Sequence, residues 1–215
     1  MSLQKFPKGK GLIHFFKMPN SSKFYKISVV KHALLYLIVT FIFSTFSFAQ
    51  PKPKIGLVYF NHLDKQLEEK IKFGIESTYN CVIIPSRKIS LPSSAFNLAR
   101  NRFRAEKLLD YLKTISNYKN TIGITTKDIS TTKDNHLDWG VMGLGRYNVC
   151  VISTYRLCGS YERAVKVAIH EAGHCLKLLH CSNALCVMTA GDGTAKNLDK
   201  SSRYLCNSCK QKFSF

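Results

Sequence analysis

Three histidines and a glutamate lie within eleven residues of one another near the C-terminal end of the sequence. His170 and His174 are four residues apart, and Glu171 directly follows the first of them. On a helix, residues four apart share a face about 5–6 Å from each other, so both imidazoles can bind one zinc ion. Glu171 lies about 100° further around the axis, where its carboxylate misses the metal but reaches a water bound to it. The spacing indicates zinc-assisted hydrolysis with Glu171 as general base, although a polar helix with hydrogen-bonded histidines is the alternative.

His180 is the candidate third ligand, provided that the helix ends before reaching it. In a continuous helix, His180 would lie about 9 Å further along the axis than His174 and about 240° around it, too far to share the metal. The chain must therefore bend within residues 175–179, where Lys177 occupies a position that favours glycine. A left-handed lysine costs about 1–2 kcal/mol, and zinc binding of about 10 kcal/mol is large enough to offset it. The bend is therefore feasible, and with it a metal site that His170, His174 and His180 share.

The cysteines and the methionine that follow extend the pattern. Over residues 170–209 the chain reads H-E-x-x-H-x5-H-C-x4-C-x-M-x17-C-x-x-C. This spacing resembles that of the archaemetzincins, a branch of the metzincin zinc peptidases. A weaker resemblance continues upstream in RAEKLLDYL, TIGITTKDI and CVISTYRL, so that it spans roughly the mature domain but not the leader. Lys177 departs from the family motif, which has glycine at this position.

The resemblance implies two zinc ions per chain, one catalytic and one structural. It assigns the catalytic ion to His170, His174 and His180. It also makes Glu171 the general base and places Met188 in an apolar turn beneath the metal. The structural ion would be bound by four cysteines, namely Cys181, Cys186, Cys206 and Cys209.

The chemistry of the cysteines is also consistent with this second site. Four thiolates complete a tetrahedral zinc site with no position left for substrate, whereas two disulfides are the alternative that export would favour. We favour zinc, since Cys206 and Cys209 lie too close in sequence to bond each other without strain. Among the other cysteines, a disulfide between Cys150 and Cys158 is one pairing to consider. Cys175 is expected to be packed rather than coordinating, and Cys81 is left unassigned.

Strands and helices alternate along the mature chain, which predicts an α/β fold. The predicted strands are IGLVYF (55–60), CVIIP (81–85), TIGITT (121–126) and NVCVIST (148–154). The predicted helices follow Asn61, span about 95–115, and cover the buried segment 162–179. We therefore expect a small mixed β-sheet packed by helices. The resemblance implies a compact metzincin-like domain, in which the active-site helix is followed by a Cys-rich, zinc-braced C-terminal segment.

Two segments near the predicted active-site helix are open to more than one interpretation. KDNHLDWGVMGLGRY (133–147) is turn-rich, and we expect an irregular loop there, close to the site. NVCVIST runs into the active-site helix. It is either an edge strand that binds an extended peptide by main-chain hydrogen bonds or a simple core strand.

Residues 1–49 are typical of a leader that precedes a domain at 50–215. They hold seven lysines and no acidic residue, and the uncharged run 33–49 ends in small residues. This pattern predicts a secretory signal peptide, with an uncleaved membrane anchor as the alternative and Met18 as a second candidate start. In either case we expect the domain to be exported to the periplasm or the extracellular space. Any membrane contact would be through the uncleaved N-terminal segment.

The charge of the chain bears on its partners. The net charge is +19, and residues 50–215 hold 25 basic and 13 acidic residues, which suggests attraction to anionic partners. We found no nucleic-acid-binding motif, so we expect peptide or protein substrates, no nucleic acid, and a monomer.

We predict a metallopeptidase that hydrolyses peptide bonds by attack of a zinc-bound water. The sequence does not distinguish an aminopeptidase from an endopeptidase. The alternative, motivated by Lys177, is a catalytically degenerate, zinc-stabilised exported binding protein for acidic partners. The intact Glu171 argues against it.

Overall fold

The structure is a computed structural model that describes residues 31–32, 51–191 and 195–213. Pro51–Phe215 forms one compact unit, and Met1–Gln50 forms another. The predicted leader at 1–49 lies outside the described residues, apart from residues 31–32, which are helical. Within the described ranges, no helix has both the length and the apolar character needed to cross a membrane.

The second unit is built from strands and helices that alternate through its first half. In chain order they are β1 (Lys54–Tyr59), α1 (Lys65–Tyr79), β2 (Val82–Lys88), β3 (Phe96–Asn97), β4 (Arg102–Arg104), α2 (Ala105–Ile115), β5 (Asn120–Thr125), β6 (Ile129–Lys133), β7 (His136–Val141), β8 (Gly143–Arg146), β9 (Val149–Ser153), α3 (Tyr161–Cys175), α4 (Ala195–Lys200) and α5 (Asn207–Lys212).

A five-stranded mixed sheet forms the centre of the fold, in the order β2-β1-β5-β9-β8. The first four strands are parallel, and β8 runs antiparallel to β9 at the edge. Helices α1 and α3 cover one face of the sheet and α2 covers the other. Because both faces are covered, the inner strands are apolar on both sides, as expected for parallel strands. The predicted mixed sheet packed by helices is confirmed.

The prediction for NVCVIST is settled by the position of β9. This strand hydrogen-bonds to β5 on one side and to β8 on the other, and all of its residues are buried. The core-strand interpretation is therefore confirmed and the edge-strand interpretation is wrong. The edge is formed instead by β8, which directly precedes β9 in the chain.

The expected irregular loop at 133–147 is also wrong, because most of it forms β7 and β8. β7 belongs to a second, four-stranded sheet in the order β3-β4-β6-β7. Asp138 on β7 forms ion pairs with Arg100, Arg102 and Arg104, which join β7 to the strands before α2. Because these partners are distant in sequence, the local sequence does not reveal the pairing. Its glycines and polar residues therefore indicated a loop where the structure has two strands.

Two predicted helices are shorter than expected. The helix predicted over about 95–115 is α2, which begins only at Ala105, because residues 96–97 and 102–104 form β3 and β4. The helix predicted over 162–179 is α3, which ends at Cys175. Its early end satisfies the condition under which His180 can approach the first two histidines.

Candidate metal centre and active site

Helix α3 positions the first two histidines and the glutamate. It begins at Ser160, whose hydroxyl accepts a hydrogen bond from the backbone N–H of Arg163 at 3.3 Å. The helix packs against the core along most of its length, so its C-terminal half is held rigidly under the sheet. His170 and His174 are partly exposed on the side that faces the cleft.

The chain leaves α3 through a Schellman motif centred on Lys177. The backbone N–H of Leu178 donates to the carbonyl of Gly173 at 2.8 Å, and that of Lys177 donates to the carbonyl of His174 at 3.0 Å. Lys177 has a φ of 74°, in the left-handed region that this motif requires. Its ammonium lies 4.4 Å from the ring centroid of Tyr147, on the turn between β8 and β9. The predicted bend is present, and lysine takes the position expected for glycine.

The bend brings the three predicted histidines together. Nε2 of His174 lies 3.1 Å from Nε2 of His170 and 3.1 Å from Nε2 of His180. Three nitrogens bound to one tetrahedral zinc at about 2.0–2.1 Å would be separated by about 3.3 Å. The histidine group therefore has both the chemistry and the spacing to hold zinc.

Backbone carbonyls fix the orientation of two of these rings. Nδ1 of His170 lies 2.8 Å from the carbonyl oxygen of Val187, and Nδ1 of His174 lies 2.8 Å from that of Leu178. Protonation at Nδ1 leaves the Nε2 lone pair free for a metal. Burial lowers the pKa of His170 to about 4 and also lowers that of His174, which favours the neutral rings that metal binding needs.

Glu171 is buried beside the histidines, under the edge strand. Burial raises its pKa to about 8, and its Oε2 has no hydrogen-bond partner among the described residues. A Cβ atom at Gly143 would lie 2.6 Å from Oε1 of Glu171, and one at Gly145 would lie 2.8 Å from Oε2. Sequence reasoning missed these glycines, which leave room for the carboxylate. The G-x-G spacing in GLG was their only signal.

Met188 lies fully buried beneath the C-terminal half of α3. Its sulfur lies 3.7 Å from Oη of Tyr79, which donates a hydrogen bond to the carbonyl of Ile169 at 2.7 Å. A Cβ at Gly173 would collide with this sulfur, so glycine in the HEAGH stretch allows close packing. The apolar environment expected for Met188 is present.

The four predicted thiolates also converge. All their sulfur atoms lie within 4.8 Å of one another, and Sγ of Cys181 lies 3.7 Å from Sγ of Cys206. Bonds of about 2.3 Å to a tetrahedral zinc would separate the sulfurs by about 3.8 Å, whereas a disulfide would bring two of them to about 2.05 Å. The group consists of Cys181, Cys186, Cys206 and Cys209, none of which is in a disulfide.

The remaining cysteines are free thiols. The disulfide considered between Cys150 and Cys158 is wrong, because Cys150 is fully buried within β9 and Cys158 is exposed before α3. Cys175 is fully buried in the core, so packing is its observed role. Cys81 is buried as well, and burial raises its pKa to about 12.

A cleft of about 260 Å³ connects these features. Its lining includes the three histidines and Glu171, with β8 on one side and residues of α4 on another. Trp139 and Lys133 extend the cleft into the second sheet. The segment expected near the site therefore does line it, although as strands.

The sequence matches the family model of Peptidase family M54 over residues 54–214. The chain belongs to this family. It is 30% identical to an archaemetzincin of Haloarcula marismortui, over 73% of this chain and 97% of that protein. An archaemetzincin of Saccharolobus solfataricus is 31% identical, over 74% of this chain and 92% of that protein.

Solved structures agree with the family assignment. A crystal structure of archaemetzincin from Methanopyrus kandleri aligns with a TM-score of 0.66 and 25% identity, covering 75% of this chain and 93% of that one. One from Archaeoglobus fulgidus, complexed with malonate, aligns with a TM-score of 0.64 and 26% identity, covering 74% and 99%. The M54 chain is thus a zinc metallopeptidase of archaemetzincin fold, and the predicted family is confirmed.

Proposed function

We propose that this M54 chain cleaves peptide bonds in the cleft between β8 and α3, with Glu171 as general base. His170, His174 and His180 would hold the catalytic zinc. The proposal depends on one observation. The Oε2 atom of a buried glutamate, which has no hydrogen-bond partner in the described part of the chain, lies beside three imidazoles whose Nε2 atoms converge. A site that needed zinc only for stability would gain nothing from burying this carboxylate, because its desolvation is costly.

Each side chain has a distinct task in this scheme. Zinc, when bound, lowers the pKa of water and polarises the carbonyl group of the substrate. The carbonyl oxygens of Val187 and Leu178 hold the protons on Nδ1 of their histidines, so that Nε2 faces the cleft. In its ionised form, which the positive charge of a bound zinc would favour against the effect of burial, Oε2 of Glu171 would accept a proton from the attacking water and deliver it to the departing amine.

The edge strand offers a place for the substrate main chain. β8 pairs with β9 on one side, and in the described part of the chain no strand pairs with its other side. An extended peptide adds to such an edge through main-chain hydrogen bonds. We propose that the substrate lies along β8, with its scissile carbonyl beside the histidines.

We propose further that the four cysteines bind a structural zinc, so that each chain holds two zinc ions. The sulfur spacing supports this proposal. The sequence pattern of the leader at 1–49 supports export of the domain to the periplasm or the extracellular space. Detection of the chain, beginning near residue 50, in the extracellular or periplasmic fraction would test that part.

The alternative of a degenerate binding protein was motivated by Lys177. That residue takes part in a regular helix termination at a φ of 74°, and the ligand geometry beyond it is intact. The motive for the alternative is therefore removed, and the basic charge alone does not favour it.

The substitution Glu171→Gln tests the function. We expect the purified wild type to hold two zinc ions and to cleave members of a peptide library, with cleavage abolished by a chelator. Glu171→Gln should keep both ions and lose turnover by about 100-fold to 10,000-fold, because only the proton acceptor is removed. Glu162→Gln, an exposed change in the first turn of the same helix, is the matched control. Retained turnover in Glu171→Gln would refute the base assignment.

A further inference from the structure

The short helix α4 forms a wall of the cleft through Asn197 and Leu198, and Ser201 directly beyond it contributes as well. The same cleft is lined by Val167, one turn before His170 on α3, and by Val187. This part of the cleft is lined by uncharged residues. The charged cleft residues among those described, apart from the histidines, are Lys133 on β6 and Glu171. A substrate side chain that enters beside α4 therefore meets an uncharged surface, which is apolar at Val167, Val187 and Leu198 and polar at Asn197 and Ser201.

A buried lysine fastens this wall to α3. Lys166 is only 8% exposed, and its ammonium donates to the carbonyl oxygen of Leu198 at 3.1 Å. The hydroxyl of Ser201 donates to the same carbonyl at 3.1 Å. Burying an ammonium group is costly unless its hydrogen bonds are satisfied. The peptidase mechanism does not use Lys166, so its burial calls for another role.

A second contact lies one turn earlier on α3. Nε and Nη2 of Arg163 donate to the two carboxylate oxygens of Asp199 at 2.8 and 2.6 Å. Such bidentate pairs fix relative orientation as well as distance. The pKa of Asp199 is lowered, chiefly by the hydrogen bond from Arg163. The positive charge of Lys166 lowers this pKa further. Arg163 and Lys166 together hold two consecutive residues of α4.

We propose that Arg163 and Lys166 are positioning residues that hold α4 against α3 and thereby limit which substrate side chain can enter the cleft. The side chain admitted is uncharged, and because the whole cleft measures only about 260 Å³ it is of the size of leucine rather than tryptophan. The inference rests on the proposed peptidase function. It goes beyond that function because neither residue contacts the reacting atoms.

The test uses a charge swap and a charge removal. Arg163→Asp and Asp199→Arg each break the bidentate pair, and the double variant restores it with reversed charges. Lys166→Met removes the ammonium but keeps an unbranched apolar stem. Lys70→Met, an exposed change in the middle of α1, is the matched control for the loss of a lysine.

The readout is selectivity between paired peptides. Two peptides would share a cleaved sequence and differ in having leucine or tryptophan at a position next to the scissile bond. We expect the wild type to favour the leucine peptide in kcat/KM. Each single variant at Arg163, Asp199 or Lys166 should reduce that preference by about tenfold. The change should fall mainly on KM, and amide exchange over residues 195–201 should accelerate. The double swap should restore both, and Lys70→Met should change neither.

Two outcomes separate this inference from the proposed function. Suppose that the wild type cleaves peptides and that the single variants at Arg163, Asp199 and Lys166 lose thermal stability but keep its selectivity. The inference is then overturned. If the wild type cleaves no peptide, the proposed function fails. The inference is then decided by the binding to zinc-loaded protein of two peptides that differ only in having leucine or tryptophan at one position. An unchanged affinity ratio in the variants overturns it, and a ratio lowered by about tenfold supports it.

Discussion

Lys177 adopts a backbone conformation that lysine ordinarily avoids, because its Cβ then crowds the neighbouring carbonyl. The conformation is held by the helix-ending hydrogen bonds of Leu178 and Lys177 and by the contact of the ammonium with the Tyr147 ring. A cation over an exposed aromatic ring contributes about 0.5–1 kcal/mol, which is comparable with the left-handed cost. The bend is therefore maintained without glycine, and His180 reaches the other two histidines.

Substitution of Lys177 by glycine and by alanine gives a direct test at this scale. In a helix interior alanine is more stable than glycine by about 1 kcal/mol. At Lys177 we expect the reverse order, with glycine the more stable by about 1 kcal/mol, since only alanine retains the left-handed penalty. Chemical denaturation of both variants measures the difference. The same pair at Lys70, in the middle of α1, is the control and should show the usual order.

An order at Lys177 that matches the order at Lys70 would contradict the left-handed assignment.

The sequence was sufficient to predict which residues come together, because the three histidines and the four cysteines are recognised by type and spacing. It also predicted the cost of lysine at the bend. The contact with Tyr147 could not be predicted, since it depends on where the β8–β9 turn lies in the folded chain.

At the scale of elements, the close approach of β8 to α3 determines the shape of the active site. The strand passes so near the helix that a Cβ at Gly143 would collide with the carboxylate of Glu171. Continuous apolar runs in the sequence predicted most strands of the central sheet, and helical spacing predicted the helices that pack against it. They did not predict β7 and β8, whose glycines were interpreted as turn signals. The glycines are there because another element needs the space, which is a tertiary constraint.

The variant Gly143→Ala tests this constraint. The added methyl group would lie 2.6 Å from Oε1 of Glu171, so the carboxylate must move. We expect kcat/KM to fall by about 100-fold with zinc content unchanged, because a displacement of about 1 Å is enough to disable a catalytic group. Gly140→Ala on β7 is the control, since its methyl group would meet the guanidinium of Arg156, which is paired with Asp128, and not the catalytic residues. Wild-type kcat/KM in Gly143→Ala would show that Glu171 tolerates the contact.

At the scale of the whole molecule, the two ligand groups are joined through the backbone. Cys181 directly follows His180, and its N–H donates to the carbonyl of Met188 at 2.8 Å. The preceding carbonyl, that of Val187, is the partner of His170. The C-terminal segment closes the arrangement by bringing Cys206 and Cys209 to the first two cysteines. The third histidine is thus adjacent to a cysteine group whose last two members lie much later in the chain.

Removal of the cysteine site should therefore weaken the histidine site. In the double variant Cys206→Ser/Cys209→Ser we expect the structural zinc to be lost and the melting temperature to fall by about 10 °C or more, because zinc binding at such sites contributes several kcal/mol to folding. The affinity of the remaining zinc should fall by about 10-fold or more, as expected when groups that orient a ligand are lost. Zinc titration against a competing chelator measures both sites. Cys158→Ser, which changes an exposed cysteine outside the group, should leave both unchanged.

The reciprocal variant His170→Ala/His174→Ala should keep one zinc ion and most of the thermal stability. If the two double variants lost zinc and thermal stability to the same extent, the proposed order of dependence would be contradicted.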